Sequence, residues 1–155
     1  MRNDHYILDA DGEPQVVEVY NERGRMDRGA LIRWAMWFEH AENRRVLQTV
    51  VGKEGGRVST VFLALDHNFT EIGPPILWET MVFGGLFNEY QWRAASRLTA
   101  LLQHQLAVSL IELYRSAPRR TKKILRHYAH YRSLRWPMKA PERRRLQRAL
   151  ARIGA

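Results

Sequence analysis

The chain reads as an α+β fold: an antiparallel sheet of about five strands with two packed helices, plus a basic helical C-terminal extension. Three observations predict this. Five β-prone runs are separated by turn-forming residues, two longer stretches repeat apolar residues at helical spacing, and the positive charge lies behind a proline near the C-terminal quarter. A length of 155 residues suits one domain with a real hydrophobic core.

The first two runs are Tyr6-Ile7-Leu8 and Val16-Val17-Glu18-Val19, joined through Asp11-Gly12, where glycine supplies the positive φ of a tight turn. A polar loop over 21–28 follows. Asp27 is placed to cap a helix in which Leu31, Trp34, Ala35, Phe38 and Ala41 form the apolar stripe. Ile32, Met36 and Trp37 broaden that stripe, which predicts cover on more than one side. Residues 44–51 and 57–65 form a second hairpin around Gly52-Lys53-Glu54-Gly55-Gly56. The run 57–65 is apolar at successive positions, so it is expected to be central and buried on both faces. Residues 76–83 make the fifth strand, between Pro74-Pro75 and Gly84-Gly85. Asn88 is then placed to cap a long helix from Glu89 to about Arg115, with Leu98, Leu102, Leu106, Leu110 and Leu113 as its stripe.

The formal charge of +9 is unevenly spread. Residues 1–114 carry 11 basic and 15 acidic side chains, a net of −4; residues 115–155 carry 14 basic and one acidic, a net of +13. Pro118 marks the break, so the chain divides into a body, 1–116, and a basic tail, 117–155. In the tail, Arg119, Arg120, Lys122, Lys123, Arg126, Arg132 and Arg135 interleave with Tyr128, Tyr131 and Trp136. Arg143, Arg144, Arg145 and Arg148 follow beyond Pro141. Cations neutralise phosphates and rings stack on unpaired bases, so the pattern suits nucleic acid. An acidic or nucleoprotein partner is served by the same residues, and packing of the tail between two copies makes a homodimer.

One segment of the body is chemically dense. Asp66, His67 and Asn68 follow the third-to-fourth strand hairpin, and Glu79-Thr80 lies on the next strand. His67 suits a general base, with Asp66 or Glu79 as its orienting carboxylate and Asn68 and Thr80 as ligand-binding groups. The alternative is a structural turn, since Asp and Asn at a strand end close Asx-turns. No phosphate-binding glycine loop, nucleophile elbow or His-Glu-x-x-His motif is present. With no cysteine there is no thiolate metal site or disulfide, and His127 with His130 offers half a metal site at most. The expectation is no cofactor, no metal and no membrane partner, with the bacterial cytoplasm as the setting.

The stretches 58–69 (Val58-Ser59-Thr60-Val61-Phe62-Leu63-Ala64-Leu65-Asp66-His67-Asn68-Phe69) and 73–85 (Gly73-Pro74-Pro75-Ile76-Leu77-Trp78-Glu79-Thr80-Met81-Val82-Phe83-Gly84-Gly85) resemble small hypothetical proteins of bacteriophages and prophages. The likeness extends over roughly residues 6–110 and stops before the basic tail. It implies a phage-type accessory protein and carries no assigned reaction or residue role. Three functions follow as expectations: a binding protein whose tail engages nucleic acid, an inhibitor of a host defence or replication factor, or a small hydrolase or nucleotide-ligand protein using Asp66, His67 and Glu79.

Overall fold

Hydrogen bonding divides the strands into two sheets rather than one of five. In the computed structural model, which describes residues 4–52, 56–70 and 72–123, β1 (His5–Leu8) and β2 (Pro14–Val17) form a two-stranded hairpin. Its turn is held by Asp9, whose carboxylate accepts from the backbone of Glu13 and Asp11 and from the Gln15 amide. Those bonds, the one from Glu13 foremost, hold the Asp9 carboxyl below the usual range. The hairpin leans on the larger sheet through one bridge, His5 to Leu65, and a bond from the Tyr6 amide to the Ala64 carbonyl.

The larger sheet is an antiparallel meander of β3 (Arg45–Val51), β4 (Gly56–Phe62), β5 (Trp78–Phe83) and β6 (Gln91–Ala94), in that order. Strand β6 replaces the start of the expected long helix. Trp92 and Ala94 are buried while Arg93 is exposed, a period of two that four residues barely display. Asn88 caps no helix; its side chain accepts from the Gly84 amide and closes the β5–β6 turn.

Helix α1 (Arg28–Glu39) begins where expected, with Asp27 accepting from the amides of Gly29 and Ala30. It is covered on one side only: Ile32 and Met36 are 58% and 60% exposed. A short helix α2 (Ala41–Arg44) leads into β3. Helix α3 (Arg97–Ser116), capped by Ser96, lies across all four strands. It buries Ala100, Gln103, His104, Ala107, Val108 and Leu110, with Ile111 and Tyr114 packed beside them. Leu98 and Leu102 face outward. A step of four residues overshoots a helical turn by about 40°, so a row of leucines spaced by four walks around the cylinder. The row starts outside at Leu98 and reaches the core at Leu110.

Strand β4 alternates instead of being apolar on both sides. Val58, Thr60 and Phe62 are buried under α3, while Arg57 is exposed and Ser59 and Val61 are half-buried. The strand also ends at Phe62, three residues early, because Ala64 takes a left-handed conformation (φ 62°) and turns the chain. The core has two parts. Phe62, Leu77, Trp78, Ala94 and Ala100 join β1 and α1 at one end; Val51, Val58, Val82, Phe87, Tyr90, Trp92, Ala107 and Val108 fill the other.

Candidate nucleic-acid interface

The turn after β4 is built by the residues whose types suggest catalysis. One oxygen of Asp66 accepts from the Asn68 amide (2.7 Å) and the Ile76 amide (2.8 Å), closing an eleven-residue loop onto itself. The Asn68 side chain donates to the carbonyls of Ile72 and Pro74 and accepts from Thr70. His67 is tied by its ring to the Leu65 carbonyl and by its amide to that of Ile76. Glu79 turns to β6 instead, pairing with Arg93 at 2.9 Å and accepting from Gln91. No hydrogen bond or ion pair joins it to Asp66 or His67 among the described residues. Thr80 is fully buried and bonded to Thr60 and the Ala100 carbonyl, so it is core, out of reach of a ligand. The geometry gives these five residues loop-closing, cross-strand and core roles.

Asp66 therefore has a structural prediction attached. Asp66→Ala leaves two backbone donors short of a partner and is expected to cost about 1–2 kcal/mol. Asp66→Asn keeps the accepting oxygen and is expected to stay within ~0.5 kcal/mol of the parent. Urea denaturation of both variants measures the difference.

A cleft lies at the opposite end of the sheet. Two glycine-rich turns meet there: Gly52 and Gly56 flank the β3–β4 turn, and Gly84-Gly85 opens the β5–β6 turn. A side chain on Gly56 would sit 2.9 Å from the Val51 carbonyl, and one on Gly84 would reach the Gly56 Cα at 3.5 Å. Bare backbone is what lets the turns come together. Gly52, at φ 84°, leaves room for Arg115, whose guanidinium would lie 3.2 Å from any Cβ placed there. Phe87 closes the inner wall, edge-on to Tyr114 at 5.8 Å, and the Lys122 ammonium sits over the Tyr114 ring at 5.7 Å. The cleft has a volume of about 490 Å³, with Leu86 and Ile111 also in its wall.

Beyond α3 the backbone resumes helical form at 119–123. Ala117 and Thr121 are buried, so the first turn of the basic tail docks on the body and carries Lys122 into the cleft. Arg115, Arg119, Arg120 and Lys123 are exposed. Among the described residues neither Arg115 nor Lys122 has a carboxylate partner. Arg126, Tyr128, Tyr131, Arg132, Arg135, Trp136, Arg143, Arg144, Arg145 and Arg148, with His127 and His130, lie outside the described residues.

The sequence singles out Lys122 but hides Arg115 and the cleft. The available signal is the pair of glycine clusters at 52–56 and 84–85, which the topology places side by side. Among the described residues no group of three or more His, Asp or Glu side chains is arranged to hold a metal ion, and no helix is long and apolar enough to cross a membrane. No family model, curated protein or solved structure matches the chain.

Proposed function

We propose that the protein is a nucleic-acid-binding accessory protein that grips the phosphate backbone with its basic end. The observation that carries this reading is the gathering, where α3 meets the tail, of cations with no carboxylate partner among the described residues. Arg115, Arg119, Arg120, Lys122 and Lys123 cluster within nine residues, and from Arg115 onward the chain holds 14 basic side chains against one acidic. Residues 1–114, of net −4, repel a polyanion weakly, so contact is directed to this end. The phage-type setting is part of the same reading and rests on the resemblance over residues 6–110. The hydrolase alternative has less to support it, since Asp66, His67 and Glu79 each serve separate partners.

Fluorescence anisotropy with labelled DNA and RNA across salt tests the proposal. With six to ten phosphates engaged, affinity is expected to fall about 10³–10⁵-fold between 50 and 200 mM salt. Replacing Arg119, Arg120, Lys122 and Lys123 together by Gln is expected to flatten that dependence by roughly one unit of slope for each phosphate no longer neutralised. Absence of binding at 50 mM salt sinks the proposal. A host protein retained after nuclease treatment, with no affinity for nucleic acid, establishes the inhibitor reading in its place.

A further inference from the structure

The cleft combines two chemistries that a simple phosphate clamp does not need. Its rim bears Arg115 and Lys122, and its inner wall is apolar, made of Val51, Leu86, Phe87 and Ile111. Its volume of about 490 Å³ falls in the range of small-ligand sites, about 300–1,000 Å³. Phosphate alone is satisfied by the cations and gains nothing from a hydrophobic recess. An apolar ligand gains nothing from Arg115, exposed beside Gly52, and Lys122, half-buried over Tyr114, which have no carboxylate partner among the described residues and attract an anion. The occupant that uses both is a flat, weakly polar ring attached to a phosphate.

We infer that the cleft takes one unpaired nucleotide of the bound strand, with its phosphate on Arg115 and Lys122 and its base against the wall of Leu86, Phe87 and Ile111. The inference rests on the nucleic-acid reading and sharpens it to single strands, ends or unpaired positions. A base within a duplex is stacked on both faces and paired at its edge, so it does not reach the recess without being turned out of the helix. Gly52, Gly84 and Gly85 carry no side chain where they line the cleft, which lets a sugar–phosphate backbone approach closely.

The test uses the full chain and three labelled ligands at one salt concentration: a single-stranded 12-mer, its duplex, and a 12-mer of the same length with every base removed. The abasic strand keeps the phosphates and removes the rings. Tighter binding of the single strand, by about tenfold over the abasic strand, is expected from burial of one base. Leu86→Trp, at the exposed rim, and Ile111→Trp, in the wall, fill the recess and are expected to bring the two ligands to equal affinity. Arg115→Met is expected to weaken the single strand more than the duplex. Equal affinity of the unmodified chain for the normal and abasic strands overturns the inference and leaves backbone binding standing. Failure to bind all three overturns the proposed function itself.

Discussion

His104→Ala is expected to destabilise the protein by about 3 kcal/mol at pH 7.5, the sum of an incompletely refilled cavity and hydroxyls left unpaired. His104 is 1% exposed within α3, and for a neutral ring the bonds around it set the tautomer. The Thr80 hydroxyl donates to the Ala100 carbonyl (3.3 Å), so its oxygen accepts from Thr60 (2.7 Å). With its one proton spent, Thr60 accepts from Nδ1–H of His104 (2.9 Å), and Nε2 is left to accept from Thr49 (2.9 Å). Burial favours the neutral ring, here in its Nδ1–H form, and the ring joins α3 to β3, β4 and β5. Burial lowers its pKa from the ordinary 6.5, so on acidification the unfolded chain takes up this proton before the folded one does. Its contribution is complete above about pH 6.5 and is lost as pH falls towards the folded-state pKa. Urea denaturation at pH 8, 6.5 and 5.5 measures both effects: the variant is expected to be less stable throughout and to show a flatter dependence on pH. A variant with the parent's pH slope assigns that slope to other groups.

Phe62→Ala is expected to be costlier still, about 3–5 kcal/mol. The ring is fully buried and meets Trp78 at 5.6 Å and Trp37 at 6.2 Å, both edge-on. It is the point where α1 joins the end of the sheet, so its removal opens a cavity and takes away two aromatic neighbours at once. Ile32→Ala on the outer side of the same helix supplies the control, with a change expected within ~0.5 kcal/mol. Thermal and urea unfolding read both, and equal effects at the two positions contradict the one-sided packing of α1.

Signals confined to a few neighbouring residues were legible in the sequence. The Asp27 cap, the Asp11-Gly12 turn and the runs that became β1 to β5 each declare themselves within about ten residues. Whatever depends on a distant partner was hidden. The buried stripe of α3 contains Ala, Gln and His, which resemble an outer face until Thr49 and Thr60 arrive from the sheet to satisfy the imidazole. The leucines, louder by hydropathy, run partly to solvent. Strand β6 is short and its pattern is broken by Ala94-Ala95, so helical spacing dominated. The site followed the same division. The charge of the tail is a matter of counting, whereas the cleft exists only because two turns about thirty residues apart in the chain share one corner of the sheet.

The bridge between the N-terminal hairpin and the larger sheet bears on how the molecule reaches its native state. Strands β3 to β6 pair in chain order, each with its successor, and α3 follows directly, so that unit assembles from short-range closures. Joining Tyr6 to Ala64 instead closes a loop of about 60 residues, an entropic penalty incurred before any contact rewards it. The hairpin is therefore the late arrival. Until it docks, Phe62 and Trp78 lack the part of their cover that Tyr6 and the aromatic face of α1 supply, which makes the association of β1 and α1 the step at which an unfinished chain is most open to aggregation.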